Sequence, residues 1–139
     1  MGRRWRDGRG TLVVPEARRN GEPGGAGELV GAQVPLEIAT SYRARTKGLL
    51  GRDAVDGAIL LSPANSIHTL RMRIPIDVAY LDRDLNVIAV RTMKPWRLGL
   101  PRLRSRHVVE AEAGAMARWG LRKGVRVEVR DGAVSPQVP

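Results

Sequence analysis

The sequence contains no cysteine and no phenylalanine, and it has only two histidines, His68 and His107. Without thiols, the chain cannot build a disulfide scaffold, a thiolate zinc site or a cysteine nucleophile. The two histidines lack the spacing of a His-Glu-x-x-His metal site, so we expect neither a metal nor another cofactor. The core must be aliphatic, because two tyrosines and three tryptophans supply all the large rings.

Long hydrophobic runs are also missing. No stretch is long enough to span a bilayer, and no apolar segment of signal-peptide length follows the basic N-terminus. We therefore expect a cytoplasmic location. The 24 basic and 14 acidic residues give a net charge of +10. Such a charge attracts polyanions such as nucleic acid, phosphorylated metabolites, anionic lipid or acidic protein. A GC-rich genome would give the same arginine excess without any selected partner, and both explanations stay open.

The hydrophobic pattern predicts one small domain, since 139 residues suffice for a single core. Short apolar runs bounded by turn residues predict strands. The expected fold class is mostly β, of the α+β kind, a small antiparallel β-sandwich or open barrel of about seven short strands with two short helices. We divide the chain into an N-terminal strand and flexible Gly/Pro loop (1–27), a β domain (28–130) and a disordered tail (131–139).

Individual elements follow from local signals. The clearest is a hairpin that pairs residues 76–81 with residues 87–93 across an acidic turn. Further strands are predicted at 11–14, 29–30, 34–38, 57–61, 67–72, 107–112 and 125–129, and Pro35 indicates an edge strand or a bulge. Helices are predicted over 42–50, after an N-cap at Thr40 or Ser41, and over 113–119, closed by Gly120.

Four segments form an ordered set of motifs. Arg45-x-Lys-Gly-Leu-Leu-Gly-Arg52 is followed by Gly57-Ala-Ile-Leu-Leu61, by the long segment His68–Asp82 and by Val108-Val-Glu-Ala-Glu-Ala-Gly114. Together they resemble the motifs of the domain of unknown function 192 family of bacteria and archaea, over roughly residues 34–130. The resemblance implies a mostly β fold with two short helices and no assigned reaction. Residues 68–72 look like the His-Thr-x-x-Met variant of the family.

Asp77 lies in the middle of an apolar strand, where a carboxylate needs partners. Arginines that could supply them are Arg45, Arg52, Arg71 and Arg73. As a structural group, Asp77 would form an ion pair or accept backbone hydrogen bonds that tie a helix to the sheet. As a functional group, it would be a general base or would orient His68, the candidate for acid–base work. The structural interpretation is favoured, and the other stays open.

Glu110 and Glu112 share one face of a predicted strand, about 7 Å apart by strand geometry. Paired carboxylates at such a separation serve glycoside hydrolysis. The favoured interpretation is a solvated strand face, or cross-strand partners for Arg126 and Arg130.

Residues 94–106, the basic loop, contain five basic and no acidic residues, and Pro95, Gly99 and Pro101 break regular structure there. Trp96 stands among Lys94, Arg97, Arg102 and Arg104, which combines a stacking surface with cations. Alternatively, Trp96 covers the sheet and the arginines are merely solvated. The predicted ligand-binding residues are Arg45, Arg52, Arg71, Arg73, Trp96 and Arg97; the catalytic candidates are His68 and Asp77.

The function predicted from these observations is a non-catalytic binding or accessory module for an anionic ligand or an acidic partner. The alternatives are a structural or assembly component and a small-substrate enzyme that uses His68 and Asp77. Nucleic acid is one of the candidate partners, although no specific RNA-binding motif is present.

Overall fold

Seven strands form one sheet in the computed structural model, which describes residues 5–15, 30–41, 44–45, 56–69 and 72–132. The strands are β1 (Gly8–Pro15), β2 (Val30–Ala39), β3 (Ala58–Leu61), β4 (Ile76–Leu81), β5 (Val87–Met93), β6 (His107–Glu112) and β7 (Glu128–Asp131), and one helix, α1 (Ala115–Trp119), lies between β6 and β7. The order across the sheet is β5-β4-β6-β3-β2-β1-β7. The pair β2–β3 is parallel, and the other neighbours are antiparallel.

The sheet curls so that its two ends meet at one corner. The chain just before β7 lies beside the turn that precedes β5. There the amide of Val87 donates to the carbonyl of Val125 at 2.8 Å, and the amide of Val127 donates to the carbonyl of Leu85 at 3.0 Å. Beyond this corner the sheet is not closed. The predicted mostly β fold of about seven strands is confirmed, but the prediction that all strands are antiparallel is wrong, because β2 and β3, which are separated by a long connection, pair in parallel.

The sheet is covered on both faces, and each face has its own apolar cluster. The inner cluster includes Leu12, Leu36, Leu60, Leu81 and Val109, and Met116 of α1 packs into it. The outer cluster includes Ile59, Val78, Tyr80, Val108 and Met93. Successive side chains of a strand alternate between faces, so the central strands β3, β4 and β6 contribute to both clusters. These strands are therefore buried on both faces instead of alternating between core and solvent.

The predicted hairpin is confirmed as β4 and β5, in antiparallel register from Ile76 opposite Met93. The carboxylate of Asp82 organises its turn by accepting the amides of Asp84 and Asn86, each at 2.9 Å. The predicted helix that ends at Gly120 is confirmed as α1: Gly120 adopts a left-handed conformation with φ 74°. Glycine adopts that conformation without a steric penalty because it has no Cβ atom.

Three local predictions need correction. Pro35 lies in β2, which has neighbours on both sides, and no register shift occurs at Pro35. A proline is tolerated there because pairing with β3 begins one residue later, at Leu36. The predicted strand over 67–72 is reduced, in its described part, to a single bridge between His68 and Leu98. The predicted strand over 125–129 begins only at Glu128, because the residues before it bond to the β4–β5 turn.

Most of the predicted helix over 42–50 lies outside the described residues, as does the predicted tail beyond Gly132. Residues 44 and 45 are helical. The hydroxyl of Ser41 accepts the amide of Ala44 at 3.1 Å, and the carbonyl of Ser41 accepts the amide of Arg45 at 2.9 Å. The prediction that Ser41 caps this turn is therefore confirmed.

Candidate functional site

The basic loop runs antiparallel to residues 64–69 and is fastened to them along its length. Backbone hydrogen bonds of 2.7 to 2.9 Å join Trp96 and Arg97 to Thr69, Gly99 to Ile67, Arg102 to Asn65 and Arg106 to Ala64. The loop is exposed, as predicted from its sequence. Its backbone is nevertheless held over the outer cluster, which the sequence did not reveal.

Thr69 is the centre of this attachment. Its side chain is buried, and its hydroxyl donates to the carbonyl of Lys94 at 2.6 Å and accepts the amide of Arg97 at 2.7 Å. Gly99 lies so close to the body that an added Cβ would be 2.9 Å from both the carbonyl oxygen of Ile67 and the hydroxyl of Tyr80. Because glycine has no side chain, the loop backbone can approach the core this closely at residue 99.

Large apolar side chains of the basic loop point into solvent. The exposed fractions are 60% for Trp96, 75% for Leu98, 80% for Leu100 and 96% for Leu103. These four are the only large hydrophobic side chains that are exposed among the described residues. Leu98 and Leu100 lie on either side of Gly99, two residues apart, the spacing that places extended residues on one side. The interpretation in which Trp96 covers the sheet does not agree with its exposure.

The basic residues of the loop are interspersed with these apolar residues along the sequence. Lys94, Arg97, Arg104 and Arg106 are exposed. Arg102 is half-buried, and the centre of its guanidinium lies 4.7 Å above the ring of Tyr80, in a cation–π contact. The predicted binding residues Trp96 and Arg97 are both exposed on the basic loop, and the three leucines beside them were not predicted to belong to a site. Their alternation with basic residues was the signal that could have identified them.

Asp77 lies on the inner side of β4, beneath the first turn of α1. Its Oδ1 accepts the hydroxyl of Thr92 at 2.7 Å, and its Oδ2 accepts the amides of Gly114 at 2.9 Å and Met116 at 3.2 Å. These bonds tie the helix to the sheet, as the structural interpretation required. In the described part of the chain, no arginine is among the hydrogen-bond partners of Asp77.

His68 is exposed beside Leu98 on the outer side of the sheet, and no described hydrogen bond or ion pair joins it to Asp77. The structure therefore does not bring the two catalytic candidates together. Arg45 donates through Nη1 to the carbonyl of Pro63 at 3.0 Å, and Arg73 is exposed. The predicted binding residues Arg52 and Arg71 lie outside the described residues.

Glu110 is buried, against the expectation of a solvated strand face. It is 5% exposed, and its neighbours across the sheet are Ile59 and Val78, not Arg126 and Arg130. No described residue donates a hydrogen bond to its carboxyl group, and burial raises the pKa of Glu110 to about 7. Glu112, at the end of the strand, is exposed and lies 3.8 Å from Arg118.

His107 is buried inside the barrel, where its ring meets the edge of Trp5 at a centroid distance of 4.8 Å. Its Nδ1 lies 2.7 Å from the hydroxyl oxygen of Ser62. Burial, assisted by the positive charge of Arg106, lowers the pKa of His107 to about 4. The ring is therefore neutral at physiological pH, and it packs against buried side chains, including Trp5 of the inner cluster.

A groove of about 630 Å³ runs along β5, between this strand and the end of α1. Its described lining includes the cationic residues Arg91, Arg102, Arg122 and Lys123, and the one acidic residue of that lining is Asp77, whose carboxylate already accepts three hydrogen bonds. The described lining of the groove therefore offers mainly positive charge. Among the described residues, no group of three or more potential ligands is placed to hold a metal ion, and no helix has the length and apolarity to cross a membrane.

Fold and site together define a small, basic, mostly β protein with one projecting apolar and cationic loop. The model of the DUF192 family, described as "Uncharacterized ACR", matches residues 26–129, and the chain belongs to this family. A UPF0127 protein of Pyrococcus horikoshii is 31% identical over 101 residues, which cover 69% of this chain and 83% of the relative. A UPF0127 protein of Pyrococcus abyssi is 33% identical over 101 residues, covering 69% and 81%.

Two solved structures share the fold. One, a Sinorhizobium meliloti protein described as a candidate transcription regulator, has a TM-score of 0.69 at 17% identity and covers 91% of this chain and 97% of that one. The other, a protein of unknown function from Novosphingobium aromaticivorans, has a TM-score of 0.64 at 20% identity and covers 86% and 83%. At these identities the likeness concerns the fold alone.

Proposed function

We propose that this protein is a non-catalytic binding module that captures an anionic partner through the basic loop. The observation that carries the proposal is the loop itself, which holds five basic and no acidic residues and projects its side chains from a backbone fastened to the core. A surface held in place in this way loses little conformational entropy when a partner binds.

The alternatives receive less support. A small-substrate enzyme built on His68 and Asp77 needs both side chains at one substrate, and they lie on different sides of the sheet. A pure assembly component has no need for a loop that concentrates one sign of charge, since like charges repel between copies.

The test measures binding to three anionic probes, a single-stranded oligonucleotide, inorganic polyphosphate and phosphatidylglycerol vesicles, across a salt series. We expect at least one of them to bind at low salt and to weaken as salt rises, because binding releases counterions. The double variant Arg97→Ala/Arg104→Ala should weaken binding, since it removes two exposed cations of the loop.

The matched control is Arg126→Ala/Arg130→Ala, which removes the same charge from exposed arginines outside the loop. We expect this control to bind much better than the loop variant. Equal losses in both double variants would mean that net charge, not the basic loop, attracts the probe. No binding of any probe at low salt would remove the proposal.

A further inference from the structure

The exposed leucines of the basic loop are not explained by charge-driven binding. Soluble proteins expose single apolar side chains routinely, but a cluster of them in one segment marks an interaction site. Here Leu98, Leu100 and Leu103 are each at least 75% exposed, and Trp96 is 60% exposed, within one loop. Elsewhere in the described chain the large apolar side chains are buried or half-buried.

These side chains cannot turn inward in this fold. The space beneath the loop is filled by Ile67, Thr69 and Tyr80, and the loop backbone touches that layer at Gly99. The same backbone hydrogen bonds that fasten the loop therefore hold its apolar side chains out in water. A partner that offers an apolar medium would relieve that exposure.

The arginines next to these apolar residues indicate that the partner carries negative charge as well as an apolar region. Leu103, the most exposed side chain of the four, stands between Arg102 and Arg104 in the sequence, and Arg97 separates Trp96 from Leu98. A bilayer of anionic lipid offers both features in layers, with phosphate groups above and hydrocarbon below. Tryptophan favours the boundary between these layers. Single-stranded nucleic acid would contact Trp96 and the arginines, but it offers no apolar region in which the leucines could be buried.

We propose that the basic loop docks the protein on an anionic lipid surface, with Trp96, Leu100 and Leu103 entering the headgroup region and the neighbouring arginines contacting lipid phosphates. This inference rests on the proposed function and names its partner. It requires no membrane-spanning segment, since a loop with apolar and basic side chains binds peripherally.

The experiment is sedimentation of the full chain with vesicles of phosphatidylcholine alone or mixed with phosphatidylglycerol. We expect binding to the mixed vesicles only, with partial loss at high salt. Trp96 supplies an internal signal, because Trp5 is buried and Trp119 is half-buried. Its fluorescence should shift to shorter wavelength on binding and should be quenched by lipids that carry bromine on the acyl chain.

The deciding variant is Leu100→Ser/Leu103→Ser, which leaves the charge unchanged and alters two side chains exposed by 80% and 96%. We expect it to weaken vesicle binding by about tenfold or more, since two leucines no longer enter the bilayer. Its binding to the oligonucleotide or to polyphosphate should not change. The control Arg126→Ala/Arg130→Ala leaves the loop intact. It should bind vesicles better than the variant Arg97→Ala/Arg104→Ala, which removes two cations of the loop.

Each other outcome overturns this inference in a distinguishable way. Oligonucleotide binding without vesicle binding would make nucleic acid the partner and would leave the proposed function standing. Vesicle binding that the leucine variant does not weaken would mean adsorption by charge without insertion. A dimer in gel filtration that the leucine variant dissociates, without vesicle binding, would make a second copy of this chain the occupant. Failure with every anionic probe would remove the proposed function as well.

Discussion

The buried carboxyl group of Glu110 should make the stability of this protein depend on pH, and the substitution Glu110→Gln should remove that dependence. The pKa of Glu110 is raised from its ordinary value of 4.5 to about 7 by burial. Well below pH 4.5 the group is neutral in both the folded and the unfolded chain. As pH rises, the unfolded chain ionises first, so the folded state loses stability until pH passes about 7.

The magnitude follows from the two pKa values. Each pH unit between them is worth about 1.4 kcal/mol, so the loss between pH 4.5 and 7 amounts to about 3 kcal/mol. Glutamine has the same shape and never ionises. We therefore expect Glu110→Gln to match the wild type within about 1 kcal/mol at pH 5 and to be more stable by about 2–3 kcal/mol at pH 8.

The assay is urea unfolding at several pH values, followed by tryptophan fluorescence. Glu112→Gln on the same strand is the matched control, because Glu112 is exposed and its contact with Arg118 is worth less than about 1 kcal/mol. The reasoning would be refuted if Glu110→Gln shifted stability equally at pH 5 and pH 8. A variant less stable than the wild type at pH 8 would also refute it, because the carboxylate would then be ionised and paired.

Three further predictions concern neighbouring groups. Because burial lowers the pKa of His107 to about 4, the free energy of unfolding should fall as pH drops from 6.5 to 4, and that of the His107→Asn variant should fall less over the same interval. Urea unfolding that shows the same pH dependence for the variant and the wild type would contradict this. Asp77→Asn should lower the free energy of unfolding by about 1–3 kcal/mol, since an amide cannot accept all three hydrogen bonds; an unchanged melting temperature would argue against that role. Gly99→Ala should destabilise by about 1–3 kcal/mol and speed hydrogen exchange of the Thr69 amide, because the added methyl meets Tyr80; unchanged exchange would contradict it.

Much of the fold could be predicted from local pattern. The hairpin of β4 and β5, the helix closed by Gly120 and the cap at Ser41 depend on residues close together in the chain. Asp77 is an intermediate case, because an apolar strand around a carboxylate predicted hydrogen-bond partners. Which groups would supply them depended on where α1 packs, since two of the three donors are amides of Gly114 and Met116.

The exposed or buried state of the acidic residues was not predictable in this way. Glu110 and Glu112 are equivalent in sequence pattern, yet one is buried and the other is solvated. The difference arises because β6 lies between β3 and β4 and is covered on its outer face, except at its last residue. Strand order is a property of long-range pairing, which the alternation of side chains does not encode.

By itself, the sequence determined the mostly β class, the family, the excess of positive charge and the presence of an irregular loop after residue 93, since composition, motifs and turn residues are local properties of the chain. The tertiary structure alone decided that this loop is fastened through Thr69, that its leucines face solvent and that His68 and Asp77 lie apart. These features depend on contacts between segments distant in the chain, and burial and hydrogen bonding are set by those contacts.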